Sequence, residues 1–230
     1  MNTLTVVVPF YNEELTLYES VDRLKAISCV NQIYLVNDGS RDKSRDIALK
    51  LQNESKKIKY FEKNTNEGKG SCLNYVIDKI STTHLIMHDA DLEYNPNSIV
   101  KLFHLVEKHP KSLIAGSRVL NQNNNINKYS HLAFGVKVLS YLLSKLYSVS
   151  ITDIATGYLL LPASFVKNIQ IEEKGFGIEV ELISKFLKMS NDILELPIEY
   201  SSRSYKEGKK IKIVDGLNIF FKIFKFRIIT

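Results

Sequence analysis

Leu4-Thr5-Val6-Val7-Val8-Pro9, then Glu14–Ile27, then Gln32-Ile33-Tyr34-Leu35-Val36-Asn37 read as strand, helix and strand in turn. The first run is β-branched throughout, which suits a strand covered on both faces. The middle segment brings Leu17, Val21, Leu24 and Ile27 back at near-helical spacing, with acidic residues early, where the helix dipole favours them. Working outward, the same alternation continues. Lys43–Gln52 predicts a helix, Ile58–Glu62 a strand, Lys69–Ile80 a helix and His84–Asp89 a strand, followed by helix Ser98–His109 and strand Leu113–Gly116. This rhythm predicts an α/β fold, a mostly parallel central sheet flanked by helices.

Beyond Gly116 the pattern loosens. Asn121–Asn127 is a polar run expected to be a disordered loop. His131–Tyr147 reads as one helix, Tyr158–Leu161 as a strand and Ile178–Lys188 as a helix. Ile193–Tyr200 reads as a strand that Pro197 confines to a sheet edge. No Pro-, Gly- or Ser-rich linker divides the chain. We expect one domain over 1–230, made of a regular half (1–118), a less regular half (119–210) and a basic amphipathic tail (211–230).

A chain of 230 residues with 44% hydrophobic and 24% charged side chains is ordinary for a globular protein, which excludes disordered and collagen-like classes. Two cysteines, Cys29 and Cys72, make no disulfide scaffold, and the N-terminus shows no signal segment, so a cytoplasmic setting is expected. No stretch supplies ~20 nearly uncharged residues for a membrane span. Residues 201–230 hold eight basic and two acidic side chains, which accounts for the whole net charge of +6. The basic character therefore belongs to the tail and predicts an anionic partner there. Only six of the 31 basic residues are Arg, which speaks against a nucleic-acid partner.

Ligands of open parallel sheets bind beyond the carboxyl ends of the strands. Tyr11-Asn12-Glu13, Asp38-Gly39-Ser40 and Asp89-Ala90-Asp91 all fall there. Each alone could be a turn or a helix entry; three together point to a site. On an extended chain Asp89 and Asp91 would face one way and address one ion. Their hard oxygens suit Mg²⁺ or Mn²⁺ shared with substrate phosphates, and Glu93 continues the series as a further ligand. Gly68-Lys69-Gly70 precedes a helix and could bring backbone amides or an ammonium to an anion. The five histidines show no zinc spacing, and no Ser-His-Asp or Cys-His nucleophile can be argued.

Taken in order, these motifs resemble the family 2 glycosyltransferases, which have the nucleotide-sugar-binding, Rossmann-like glycosyltransferase-A fold. The matching residues are Val8-Pro9-Phe10-Tyr11-Asn12-Glu13, Asn37-Asp38-Gly39-Ser40, Asn66-Glu67-Gly68-Lys69-Gly70 and Asp89-Ala90-Asp91-Leu92. Further matches are Ala115-Gly116-Ser117-Arg118, Asp153 with Thr156-Gly157-Tyr158, Phe176 with Glu179 and Glu181, Leu196-Pro197-Ile198, and Arg203 through Lys210. The later ones resemble the dolichyl- or polyprenyl-phosphate mannosyl- and glucosyltransferase branch.

The resemblance implies that Pro9, Tyr11, Glu13 and Asp38 surround the nucleoside of a nucleotide sugar, Asp38 contacting the base. It implies that Asp89 and Asp91, with Glu93, hold Mg²⁺ or Mn²⁺ on the diphosphate, and that Arg118, Arg203 and Lys209 or Lys210 address the diphosphate and the acceptor. Asp153, Glu179 and Glu181 become candidates for a catalytic base; pairing with lysines is the alternative, above all for Glu181. The expected reaction is inverting transfer of one hexose to a polyprenyl phosphate, or alternatively to a hydroxyl of a lipid-linked or surface glycan. Two departures stand out. A basic residue expected between Arg118 and Asp153 is replaced by the Asn-rich run and Lys128-Tyr129-Ser130, and without Trp the Gln-x-x-Arg-Trp motif of processive synthases is absent.

On a helical wheel Leu217, Phe220, Phe221, Phe224 and Ile228 share a face, with Lys222 and Lys225 opposite and Ile219, Ile223 and Phe226 extending the apolar side. Such a tail predicts a peripheral position on the inner face of the cell membrane. The alternative is a helix packed on the core or on a second subunit of a homo-oligomer. His131–Tyr147 is a second candidate for an interfacial helix.

Overall fold

The computed structural model describes residues 1–121, 129–204 and 213–228. Its centre is a seven-stranded sheet of β1 (Leu4–Phe10), β2 (Val30–Asp38), β3 (Ile58–Lys63), β4 (His84–Met87), β5 (Leu113–Ser117), β6 (Leu159–Pro162) and β7 (Ile193–Pro197). The spatial order is β3-β2-β1-β4-β6-β5-β7. All pairings are parallel except those of β6, which runs antiparallel to both β4 and β5. Strand order reverses at β1, between β2 and β4. The loops leaving these strands therefore open a crevice at their carboxyl ends.

The helices are α1 (Leu17–Lys25), α2 (Ser44–Glu54), α3 (Lys69–Val76), α4 (Ser98–Val106), α5 (Ser130–Tyr147), α6 (Ala163–Lys167), α7 (Ile178–Met189) and α8 (Ile213–Ile228). Alternation along β1 sorts them into two layers. Val6 and Val8 pack with Leu17, Val21, Leu51, Leu102 and Val106 beneath α1, α2 and α4. Val7 packs with Leu73, Val76, Ile178, Ile183, Ile219 and Ile223 beneath α3, α7 and α8. Both faces of the sheet are thus dry, the condition the β-branched run called for.

Several boundaries differ from the sequence expectation. Helix α1 begins at Leu17 instead of Glu14, because Asn12 is left-handed (φ 52°) and the amides of Thr16 and Leu17 bond to the Glu13 carbonyl, closing a turn first. The segment after Lys69 is α-helical only to Val76 and finishes as a 3₁₀ turn, Ile77–Lys79. Strand β4 stops at Met87, short of the acidic residues, and Leu92 is left-handed (φ 63°). Asp89 and Asp91 therefore sit on a turn, not on extended chain. Strand β7 does lie at an edge and ends at Pro197. Farther on, Tyr200 makes an isolated antiparallel bridge with Tyr94. The five-residue α6 was not anticipated.

Helix α8 divides its apolar surface. Ile219, Ile223 and Phe226 are buried against the core, whereas Leu217 (60% exposed), Phe221 (67%) and Ile228 (78%) face outward. The packed alternative for the tail is thus met on one face of the helix, and the other face is left exposed. On α5, Phe134 and Tyr141 are likewise exposed. Among the described residues no helix is long and apolar enough to cross a membrane. Lys209, Lys210 and residues 122–128, which hold most of the Asn-rich run, lie outside the described residues.

Candidate active site

Four loops at the crevice each turn on one left-handed residue: Asn12 after β1, Gly39 after β2, Gly68 before α3 and Leu92 after β4. The first two are laced together. The Arg41 amide donates to Asn12 Oδ1 (2.8 Å), the Asn12 amide to Ser40 Oγ (3.1 Å) and the Glu13 amide to Ser44 Oγ (2.8 Å). Asp38 ties in the third: Oδ1 accepts from Lys63 Nζ (2.6 Å), Oδ2 from the Gly68 amide (2.6 Å), and the Glu67 amide reaches both oxygens at 3.1 Å. With these bonds Asp38 fixes the loop that delivers Lys69.

The loops enclose a cavity of about 750 Å³. Pro9, Tyr11, Glu13, Asp38, Gly68, Lys69, Asp89, Ala90, Asp91, Glu93, Arg118, Asp153, Glu179 and Arg203 all line it. These described residues, assigned to the site from sequence, are thus brought to one place, with Glu181 the exception. Glu181 is not among the lining residues; it is fully buried and bonds Lys185 Nζ at 2.7 Å.

Within the cavity, carboxylates and cations are interleaved. Arg203 donates from Nη2 to Asp91 Oδ2 (2.9 Å) and from Nη1 to Glu13 Oε2 (3.3 Å). Lys69 Nζ lies 3.3 Å from Asp89 Oδ1 and pairs with Glu179. Burial alone would lower the Lys69 ammonium; the charges of Asp89 and Glu179 outweigh it and hold the group well above its ordinary value. Burial, with the charges of Asp89 and Glu93, pushes the Asp91 carboxyl up to about 7 against the opposing pull of Arg203. Arg118 grips Asp153 bidentately, from Nε to Oδ2 (2.7 Å) and from Nη2 to Oδ1 (2.8 Å), and also donates to the Ala155 carbonyl (2.8 Å). The Arg118 amide adds a further bond to Asp153 Oδ2 (3.0 Å).

Do these residues fit a divalent ion? Asp89 and Asp91 supply hard oxygens on a turn beside the cavity. Among the described residues no group of three or more His, Cys, Asp or Glu could hold an ion unaided. Glu93 is engaged elsewhere: Oε1 accepts from the Arg203 amide (2.8 Å) and Oε2 from the Tyr200 hydroxyl (2.5 Å). The donor set therefore suits an ion that completes its shell with ligand oxygens. Arg203 Nε, buried without a hydrogen-bond partner, offers a donor to an oxygen of such a ligand.

Sequence reasoning missed the aromatic support. Tyr158 stacks on Tyr94 (centroids 4.6 Å apart), Tyr94 meets Tyr200 edge-on, and the Arg118 guanidinium lies over the Tyr200 ring at 5.1 Å. The Tyr94 hydroxyl accepts the Gly157 amide (2.8 Å). His88 bridges Ser20 Oγ (3.0 Å) and the Tyr158 hydroxyl (2.6 Å), and burial pushes it down to about 4, so its ring is neutral. The signal was present in Glu93-Tyr94 and in Tyr200, three residues before Arg203, both next to charged motifs. The amides at the start of α3 also differ from expectation, since those of Gly70 and Ser71 are spent on the Lys174 carbonyl.

The lining also has an apolar part. Leu132, Val136 and Leu139 of α5 contribute to it, with His131 and Lys137 of the same helix, as do Ile219 of α8, Val119 and Phe176.

Comparison with known proteins agrees with this geometry. Residues 5–169 match the family model described as glycosyl transferase family 2. The chain is 25% identical over 221 residues to an undecaprenyl-phosphate mannosyltransferase of Micrococcus luteus, covering 91% of this chain and 87% of that one. It is 27% identical over 232 residues to a dolichyl-phosphate beta-glucosyltransferase of Trichomonas vaginalis, covering 91% and 68%. Among solved structures it is similar to glucosyl-3-phosphoglycerate synthase from Mycobacterium tuberculosis in complex with Mn²⁺, UDP and glucosyl-3-phosphoglycerate. There the TM-score is 0.75 at 15% identity, over 98% of this chain and 80% of that one, a likeness of fold.

Proposed function

The chain belongs to glycosyl transferase family 2, and from that premise we propose that it transfers one hexose from a nucleotide sugar, with Mg²⁺ or Mn²⁺, to a polyprenyl phosphate at the cytoplasmic membrane surface. The observation that carries this reading is a cavity lined both by interleaved carboxylates and cations and by apolar side chains of α5 and α8. The charged lining suits a diphosphate and an acceptor phosphate, and the apolar lining suits a hydrocarbon chain. The two curated relatives are named for acceptors of that type. The exposed face of α8 and the basic tail support a position at an anionic bilayer.

In the proposed reaction an acceptor phosphate oxygen attacks the anomeric carbon from the side opposite the leaving group. The bond to the new oxygen forms as the bond to the diphosphate breaks, with inversion. Asp89 and Asp91 would hold the ion, whose charge would offset that of the departing nucleoside diphosphate. Arg203 and Lys69 supply positive charge to the same oxygens. A phosphate monoester, with a second pKa of about 6, is already anionic near neutrality and attacks without a base. That suits a cavity in which Asp153 is committed to Arg118 and Glu179 is paired with Lys69.

The test is transfer of radiolabelled sugar from GDP-mannose and from UDP-glucose, each with Mn²⁺ or Mg²⁺ and a short-chain polyprenyl phosphate. A labelled lipid stable to alkali and cleaved by mild acid is the expected product. Donor binding without lipid labelling would refute the acceptor assignment and turn the search to glycan hydroxyls or to a small phosphate such as phosphoglyceric acid.

A further inference from the structure

Glu181 has no place in the cavity, yet its fully buried carboxylate is among the most heavily bonded in the molecule. Oε1 accepts from the Glu172 amide (2.8 Å) and Oε2 from the Glu173 amide (2.7 Å), while Lys185 Nζ neutralises the group. The next carbonyl, Lys174 O, accepts from the amides of Gly70 (2.8 Å) and Ser71 (3.3 Å) in the first turn of α3. The two backbones press so close that a Cβ on Gly68 would lie 2.4 Å from Lys174 O, and one on Gly70 2.0 Å from Glu173 O. This contact explains why Lys69 is flanked by glycines. From the far side α8 grips the same segment, Lys222 on Glu173 (2.6 Å) and Lys225 on Glu172 (2.9 Å). Residues 172–174 are thus pinned by α7, α3 and α8 together, and Lys69, the first residue of α3, stands beside Asp89 and Glu179.

We propose that Glu181 is a positioning residue for the donor side of the site: it clamps residues 172–174 against the start of α3 and thereby holds Lys69 at Asp89. Two backbone amides on one buried carboxylate fix the segment in register, and the Lys174 carbonyl passes that register to the helix that carries the ammonium. The inference rests on the reading of Asp89 and Asp91 as the metal–diphosphate site.

Glu181→Gln and Gly70→Ala disturb the same contact from opposite sides, so Gly70→Ala carries the test if Glu181→Gln does not fold. Amide hydrogen exchange at Ser71 reads the clamp in the protein alone. Calorimetric titration with Mn²⁺ and UDP, and separately Mn²⁺ and GDP, reads the site. We expect both variants to speed Ser71 exchange by roughly tenfold or more and to weaken Mn²⁺–nucleotide binding by about tenfold, the range for losing an outer support of a ligand. The double variant should be no weaker than the weaker single. Val21→Ala, in the core on the other face of the sheet, removes stability without touching this contact and should keep nucleotide binding within about twofold. Unchanged Ser71 exchange in Glu181→Gln would overturn the clamp. Faster exchange with undiminished binding would overturn the positioning role. Failure of the donor reading looks different: the unmodified protein would then bind neither nucleotide with Mn²⁺, and the link to Asp89 would fall with it.

Discussion

Asp153→Asn separates two roles that one carboxylate can play here. Asp153 is fully buried and receives three bonds from Arg118, two from the guanidinium and one from the backbone amide. The substitution keeps the shape and one acceptor but removes the countercharge. Breaking a buried pair by neutralising one partner costs about 3–5 kcal/mol, because the remaining charge is left uncompensated. Two features of the structure set the lower end. The Arg118 side chain is 19% exposed toward the cavity, where water reaches it, and it keeps the Ala155 carbonyl and the face of Tyr200. We therefore expect a loss of about 3 kcal/mol. For a chain of this size that is a fall in Tm of roughly 6–12 °C. Scanning calorimetry measures it directly, with Mn²⁺-dependent nucleotide binding as a companion. If melting shifts by no more than about 2 °C while turnover vanishes, Asp153 is a base and not a counter-ion, and the argument for a base-free phosphate acceptor fails.

Asp91→Asn should lower sugar transfer by roughly a hundredfold or more, with melting of the metal-free protein held or raised, since it relieves a crowded carboxylate; full activity would refute the metal assignment. Glu67 is held down at about 2 by Lys174, Lys63 and Ser71. The stability it contributes is present above its ordinary value near 4.5 and is lost as pH falls toward 2, so Glu67→Gln should flatten the acid limb of a pH–Tm curve in that window and leave pH 7 to 8 unchanged in slope. On α8 the two faces should separate. Phe221→Ser ought to weaken sedimentation with anionic vesicles at nearly constant Tm, whereas Ile223→Ala, fully buried, should cost about 2–4 kcal/mol in denaturant unfolding; equal loss of stability in both would mean that Phe221 is also core.

Much of the frame is legible in the chain because it rests on local periodicity. Val6-Val7-Val8 announce a strand covered on both faces, and the polar groups Tyr11-Asn12-Glu13, Asp38-Gly39-Ser40 and Asp89-Ala90-Asp91 come at or just beyond the carboxyl ends of β1, β2 and β4, where the crevice opens. What local pattern cannot convey is where a side chain spends its bonds. Asp153 stayed open between base and ion-pair partner because Arg118 is 35 residues away, and Glu181 stayed open because the amides it holds belong to another segment. Asp89 and Asp91 converge for a reason other than strand alternation, since the turn depends on the left-handed backbone of Leu92, a residue with no intrinsic taste for it. The tail, too, read as a choice between membrane and core because a helical wheel does not know which face its neighbours will take. The Tyr94–Tyr200 pairing was invisible for the same reason, the two rings lying in separate loops, one after β4 and one after β7.

The guanidinium of Arg203 joins Glu13 and Asp91, which precede it by 190 and 112 positions. During synthesis at about 5–20 residues per second, roughly 10–40 s separate the appearance of the first of these residues from that of the last. Once β4 has been made, within that interval, β1, β2, β3 and β4 are all available to pair, but the acidic residues beyond them still lack the cation that joins them. Closure of the crevice by Arg203 therefore waits on residues made long after the strands it bridges, however early those strands pair.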